Sequence, residues 1–96
     1  MGRLERTHEA DGNRTPEVAF GLTLRKIRRK RGLSQQGLAD KSGYHRTYIG
    51  LLEKGQKSPS LRTIVNIATT LQVKPSALLQ GVERLIGQTA GKTGKG

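Results

Sequence analysis

Few side chains in this sequence could do chemistry, and most of those that could are cations. The chain has no Cys and only two His, His8 and His45, so it lacks the nucleophiles, bases and thiolates that an enzyme pocket or a zinc site requires. The C-terminal GKTGKG is superficially similar to a phosphate-binding loop, but it lacks the required spacing and a following helix. We therefore expect no enzyme activity, no metal, no cofactor and no small-molecule ligand.

The cations themselves indicate a polyanionic partner. Lys and Arg number 18 against 7 Asp and Glu, a formal net charge of +11 at pH 7, and a field of this sign attracts polyanions and speeds encounters with them. Nucleic acid is the first candidate and an acidic membrane surface the second. No apolar run is long enough to span a bilayer, and the N-terminus lacks the apolar region of a secretory signal. We expect a soluble, cytoplasmic protein that does not bind membranes.

Short helices are the elements expected to position these cations. With 96 residues, 32% of them apolar, one Phe and no Trp, the chain supports one small aliphatic core. Apolar residues recur at helical spacing, and no alternating stretch is long enough for a strand. The pattern predicts an all-α domain over residues 17–86 with five helices, at about 17–31, 34–42, 45–53, 61–71 and 75–86. Residues 1–16 and the Gly-rich residues 87–96 are predicted to be flexible tails, the second one basic.

The last two predicted helices carry many apolar residues. The apolar face of the fourth helix is predicted from five residues at helical spacing: Leu61, Ile64, Val65, Ala68 and Leu71. The fifth helix has more apolar residues than so small a core needs, which makes some of them candidates for a dimer surface: Leu79, Val82, Leu85 and Ile86. The alternative is that these residues simply pack on the first helix.

Residues 35–55, QQGLADKSGYHRTYIGLLEKG, are the most informative segment. They predict two helices of about eight residues that meet at a steep angle, because Gly43 permits a sharp turn and the small Ala39 lets the backbones approach. Leu38, Ile49 and Leu52 would join this pair to the first and fourth helices.

The segment and its surroundings resemble the helix-turn-helix domain of the phage repressor and Cro (XRE) family over about residues 20–80. A compact five-helix fold with a DNA-binding helix pair is what this resemblance implies. It is carried by fourteen positions: Leu24, Arg28, Ser34, Gln35, Leu38, Ala39, Gly43, Ile49, Glu53, Gly55, Pro59, Ile64, Ala68 and Leu71. Residues 45–60, HRTYIGLLEKGQKSPS, are particularly similar to controller proteins of restriction-modification systems and to similar small bacterial regulators.

The resemblance implies that the helix at about 45–53 enters the DNA major groove. Arg46 is the first candidate for base readout, since its planar fork matches the two acceptors of guanine; a phosphate contact is the alternative. Thr47 offers a hydroxyl or a methyl group to thymine, or serves only as an early helix residue. Leu51 either touches a thymine methyl or covers a neighbouring side chain. Gly50 would permit close approach to the DNA.

Other residues are expected to hold the DNA backbone, which gives affinity without sequence information. Tyr48 would donate its hydroxyl to a phosphate or fill the helix interface instead, and His45 would be a donor or an N-cap. The backbone candidates are Gln35, His45, Tyr48, Lys54, Gln56, Lys57 and Ser58. By the same resemblance, Arg28 and Glu53 are expected to form a partly buried salt bridge between the first and third helices.

These interpretations together predict a sequence-specific transcriptional regulator that binds double-stranded DNA. One small domain supplies few base contacts, so we expect a homodimer on a two-fold related operator, associated with the nucleoid. The alternatives are an antitoxin-like protein or a bridging coactivator, whose main partner would be another protein.

Overall fold

Five α-helices and no strand make up the part of the chain that the computed structural model describes, residues 14–95, with side chains described as far as residue 87. The helices are α1 (Pro16–Lys30), α2 (Gln35–Ser42), α3 (Arg46–Glu53), α4 (Leu61–Leu71) and α5 (Pro75–Lys95). The predicted all-α class is confirmed. The predicted N-terminal tail lies almost wholly outside the described residues, except that Pro16 already belongs to α1.

Hydroxyl side chains fix the start of three of these helices. Thr15, Ser34 and Ser60 each accept a hydrogen bond from the backbone N–H three residues further along the chain, at 2.9–3.1 Å. Each such cap contributes about 1 kcal/mol to helix stability. The caps at Ser34 and Ser60 confirm the predicted starts of α2 and α4. Gly43, with φ of 83°, ends α2 in the left-handed conformation, as the sequence predicts.

The core lies where the four shorter helices and the first half of α5 meet. Helix α1 packs against α3 and α5, and α2 packs against α3 and α4. The buried apolar side chains come from all five helices: Phe20, Leu24, Leu38, Ala39, Ile49, Leu52, Ile67, Ala68, Leu71 and Leu78. Aliphatic residues dominate this set, in agreement with the composition.

The predicted apolar face of α4 is partly wrong. Leu61 is 73% exposed and Val65 is 41% exposed, whereas Thr63 and Ile67 are buried beside Ala68. Thr63 can be buried because its hydroxyl has hydrogen-bond partners in the protein, and the apolar face of the helix is rotated relative to the prediction so that it includes Ile67. A pattern that counts apolar residue types alone does not detect a buried threonine.

Helix α5 is longer than predicted, since its backbone is helical to Lys95. The predicted end at residue 86 is therefore wrong. Once packing has formed the first turns, each added residue gains one hydrogen bond without a new nucleation cost. Glycine lowers helix propensity by about 1 kcal/mol per residue but does not forbid the helix. The flexibility of residues 87–96 stays a prediction.

Two glycines let α1 approach its neighbours closely. A Cβ atom on Gly21 would collide with the backbone carbonyl groups of Leu52 and Glu53 at the end of α3. A Cβ on Gly81 would collide with the side chain of Thr23, where α5 crosses α1. The close contact of α1 with α3 thus requires the absence of a side chain at residue 21.

We predict that Gly21→Ala lowers the free energy of unfolding by about 1–3 kcal/mol, because the opposing atoms are backbone and must shift. Gly50→Ala is the matched control. Its Cβ would have only an ordinary contact, 3.9 Å from the side-chain oxygen of Gln35, so this variant should gain about 0.5–1 kcal/mol from its better helix propensity. Urea unfolding measures both variants. Equal stability of the two would refute the close-contact interpretation.

Candidate nucleic-acid interface

The candidate interface is built on the helix pair α2 and α3. Leu38 and Ala39 of α2 and Ile49 and Leu52 of α3 are almost completely buried, and the left-handed Gly43 turns the chain between the two helices. The buried side of α3 is therefore fixed against the core. Its opposite side is available to a partner.

That opposite side carries the predicted base-reading residues. Arg46 and Thr47 are exposed in the first turn of α3, and Gly50 and Leu51, one turn further along, are half-buried. Residues four apart lie on the same helix face, so all four residues share one surface. Arg46 and Thr47 have no hydrogen-bond or ion-pair partner among the described residues. The structure thus brings the three predicted base readers together and leaves the two polar ones free to bind.

The loop after α3 holds the predicted backbone contacts beside this surface. The N–H of Gln56 donates to the carbonyl of Leu51 at 2.9 Å, and the N–H of Gly55 donates to the carbonyl of Leu52 at 3.1 Å. With φ of 74° at Gly55, this is the Schellman arrangement that ends a helix in a defined turn. The loop side chains that the sequence predicts are all exposed: Lys54, Gln56, Lys57 and Ser58.

A buried ion pair between Arg28 and Glu53 joins α1 to the end of α3, as the resemblance implied. The guanidinium donates to both carboxylate oxygens, at 2.5 and 2.9 Å, and the two residues are 6% and 8% exposed. A third guanidinium hydrogen bond goes to the carbonyl of Leu33 at 2.8 Å. The hydrogen bond from Arg28 to Glu53 raises the pKa of the arginine above its ordinary value. The charged arginine therefore contributes its full stabilisation at every pH below its ordinary pKa, and this contribution is lost as the pH rises through the raised pKa.

Gln35 extends this ion pair to a third helix. Its side-chain amide nitrogen donates to the Glu53 carboxylate at 3.0 Å, so the start of α2 is tied to the end of α3. One amide hydrogen remains for the predicted phosphate contact. The sequence alone did not predict this hydrogen bond, because no local pattern indicates a contact between residues 18 positions apart.

The sequence allowed two interpretations of Tyr48 and of His45, a contact with DNA or a structural role. The Tyr48 hydroxyl lies 3.3 Å from the hydroxyl of Thr63, and its ring is tilted against that of Tyr44 with centroids 5.2 Å apart. Tyr48 thus occupies the interface between α3 and α4, and a phosphate contact for its hydroxyl stays a prediction. His45 occupies the N-cap position of α3 but makes no side-chain capping hydrogen bond. Its side chain is exposed and stays a candidate donor.

The described part of the chain offers neither a membrane-spanning helix nor a metal site. No helix there is both long and apolar enough to cross a membrane. The same residues contain no group of three His, Cys, Asp or Glu side chains placed to hold a metal ion.

Comparisons with known proteins agree with this geometry. Residues 24–78 match the family model described as helix-turn-helix. The chain is 43% identical over 63 residues to control protein C.BamHI of Bacillus amyloliquefaciens, an alignment that covers 65% of this chain and 78% of that protein. The solved structure of the restriction-modification controller protein C.AhdI of Aeromonas hydrophila is also similar. Its TM-score is 0.62 and its identity 46%, over 64% of this chain and 92% of that chain.

Another relative is longer than the segment that the chain matches. The chain is 37% identical over 73 residues to the HTH-type transcriptional regulator DdrOP3 of Deinococcus deserti, which covers 76% of this chain and 57% of the regulator. The chain thus spans little more than half the length of several curated relatives that it matches. Together these similarities confirm the resemblance stated from the sequence.

We predict that Arg28→Ala lowers the free energy of unfolding by about 3–5 kcal/mol, because it leaves the Glu53 carboxylate buried without its partner. Arg29→Ala, which removes an exposed neighbour on the same helix, is the matched control and should change stability by less than about 0.5 kcal/mol. Chemical denaturation measures both. An unchanged midpoint for Arg28→Ala would contradict a structural role for the pair.

Proposed function

Because the chain belongs to the helix-turn-helix family, we propose that it is a sequence-specific transcriptional regulator that binds double-stranded DNA. The observation that carries the proposal is the exposed face of α3, where Arg46 and Thr47 have no partner among the described residues. An exposed guanidinium at the start of the second helix of such a pair stands where base edges are read in this class of domain. The names of the similar proteins, regulators and controller proteins, support the same function.

We propose that α3 lies in the major groove with Arg46 directed at a guanine, whose O6 and N7 accept two parallel hydrogen bonds. Thr47 and Leu51, one turn apart, would lie against a thymine methyl group. Gly50 would let the helix backbone approach the bases, because no side chain separates them. Base readout therefore depends on few residues, and Arg46 supplies most of it.

Seven polar residues in and around α3, five of them exposed and two half-buried, would contact the sugar-phosphate backbone. Their cations displace condensed counterions from DNA, so each adds affinity that falls as salt rises. The N-terminus of α2 adds the partial positive charge of a helix end. The proposed backbone contacts are Gln35, His45, Tyr48, Lys54, Gln56, Lys57 and Ser58.

A dimer would double the base contacts and fix the spacing of two half-sites. Exposed apolar side chains on α4 and α5 supply a candidate surface, since Leu61, Val65 and Leu79 are 73%, 41% and 46% exposed. Of the four residues that the sequence nominated on α5, Leu79 is exposed and the others are half-buried. We propose that the protein is a homodimer that buries Leu79 and its neighbours.

A regulator of this kind acts by binding alone. We therefore propose no catalytic activity, no cofactor and no small-molecule ligand for the chain, and we place it in the cytoplasm, on the nucleoid DNA that it reads.

We predict that Arg46→Ala and Lys57→Ala weaken binding in different ways on a duplex that the wild-type protein enriches from random sequences. Arg46→Ala should lose about 1–3 kcal/mol of binding free energy, because a bidentate contact is removed. The variant should also lose its preference for one base at a single position of the DNA site. Lys57→Ala, the matched control, should weaken all sequences alike and reduce the salt dependence by about one counterion. Uniform weakening by Arg46→Ala would assign that residue to the backbone instead.

We predict that equilibrium sedimentation finds a dimer at tens of micromolar and that Leu79→Glu shifts it to a monomer, because a charge would be buried in the interface. Leu22→Glu on α1, a residue 37% exposed, is the control and should leave the dimer intact. A monomeric wild-type protein would refute the dimer. A dimeric Leu79→Glu variant would show that the interface lies elsewhere.

A further inference from the structure

Five polar side chains form a cluster at the junction of α3 and α4, and only one of them, Tyr48, is among the proposed DNA contacts. This hydroxyl cluster consists of Tyr44, Tyr48, Ser60, Thr63 and Asn66. The buried hydroxyl oxygen of Thr63 lies at its centre, 3.3 Å from the hydroxyls of both tyrosines and 3.0 Å from that of Ser60. Asn66, which is exposed, donates from its amide nitrogen to the Tyr44 hydroxyl at 3.1 Å.

Two groups that can only donate, the backbone N–H of Thr63 and the side-chain amide nitrogen of Asn66, set the direction of the hydrogen bonds in the cluster. The backbone N–H of Thr63 donates to the Ser60 oxygen at 3.0 Å, and the Ser60 hydroxyl donates to the oxygen of Thr63. The Asn66 amide nitrogen donates to Tyr44, and the Tyr44 hydroxyl donates to the same Thr63 oxygen. Both chains of hydrogen bonds therefore end on Thr63.

The remaining hydrogen bond follows from the capacity of a hydroxyl group, which donates once and accepts twice. The distance between the Thr63 and Tyr48 hydroxyls allows either of them to donate. Because the Thr63 oxygen already accepts from Tyr44 and Ser60, its capacity to accept is filled, which leaves Thr63 as the donor and Tyr48 as the acceptor of this bond. The proton of the Tyr48 hydroxyl then has no acceptor among the described residues. This proton is therefore left for an acceptor outside the protein, and Tyr48 is half-buried and directly follows Arg46 and Thr47 in the sequence of α3.

We propose that Thr63 is a positioning residue that makes the Tyr48 hydroxyl an obligatory outward donor to a phosphate oxygen of the DNA backbone. The inference rests on the proposed function. A phosphate oxygen is the fitting partner because it only accepts hydrogen bonds. The bond that Tyr48 receives from Thr63 also strengthens the one that it donates, since hydrogen bonds in a chain polarise one another.

The exposed end of the cluster provides the sharpest test. Asn66→Asp replaces a donor with a group that only accepts, so the Tyr44 hydroxyl would turn to residue 66 and leave Thr63 with room for one more donor. The Tyr48 proton could then turn inward, in competition with the phosphate. Because residue 66 is exposed, this variant should keep its unfolding midpoint close to that of the wild type.

The experiment measures affinity for an enriched duplex with Asn66→Asp, Tyr48→Phe and the double variant. We expect Tyr48→Phe to weaken binding about tenfold. Asn66→Asp should weaken binding by a clearly larger factor when Tyr48 is present than when it is Phe, where only the added negative charge acts. Thr63→Ser should bind like the wild type, and Thr63→Val should weaken binding only in the presence of Tyr48.

Equal factors for Asn66→Asp in the two backgrounds would overturn the directed cluster, and would leave it a structural contact between α3 and α4. A wild-type protein that binds no duplex would instead overturn the proposed function. The two failures are therefore distinguishable within one set of titrations.

Discussion

The buried ion pair between Arg28 and Glu53 joins the C-terminal end of α3 to α1. Helix α3 has eight residues, too few to be stable in isolation, and its ends must be held by tertiary contacts. Glu53 at its C-terminal end is bound by Arg28 of α1 and Gln35 of α2. A change at any of these residues would alter how α3 is presented, since a buried carboxylate without partners is costly.

The other end of α3 is held by different chemistry. The left-handed turn at Gly43 and the hydroxyl cluster around Thr63 fix the first turn of the helix, where Arg46, Thr47 and Tyr48 lie. Arg28 is a buried cation whose guanidinium donates three hydrogen bonds, whereas the side chain of Arg46 is an exposed cation with no partner among the described residues. The net charge of +11 therefore includes residues with different roles, since burial separates Arg28, which joins two helices, from Arg46, the proposed base reader.

The sequence predicted the parts of this arrangement that depend on local rules. Ser34 and Gly43 indicate where α2 begins and ends, because Ser caps a helix and Gly adopts the left-handed conformation that ends one. The helical spacing of apolar residues predicts five helices. Polar contacts between distant residues were predicted only where the resemblance supplied them, as for Arg28 and Glu53. The hydrogen bond from Gln35 to Glu53 and the burial of Thr63 were not predicted. Both involve polar side chains, which the periodicity of apolar residues does not report. The sequence predicted α5 too short, because the many glycines of its last turns lower helix propensity. A helix that has already been nucleated can nevertheless extend through them.

Selection of bound sites from random duplex DNA is the most direct test of sequence-specific binding, because it shows whether the protein prefers any DNA sequence. The account predicts enrichment of one motif made of two inverted half-sites about one helical turn apart, with a preferred guanine at a corresponding position in each. Recovery of duplexes without any common motif, at an affinity that depends only on salt, would contradict it.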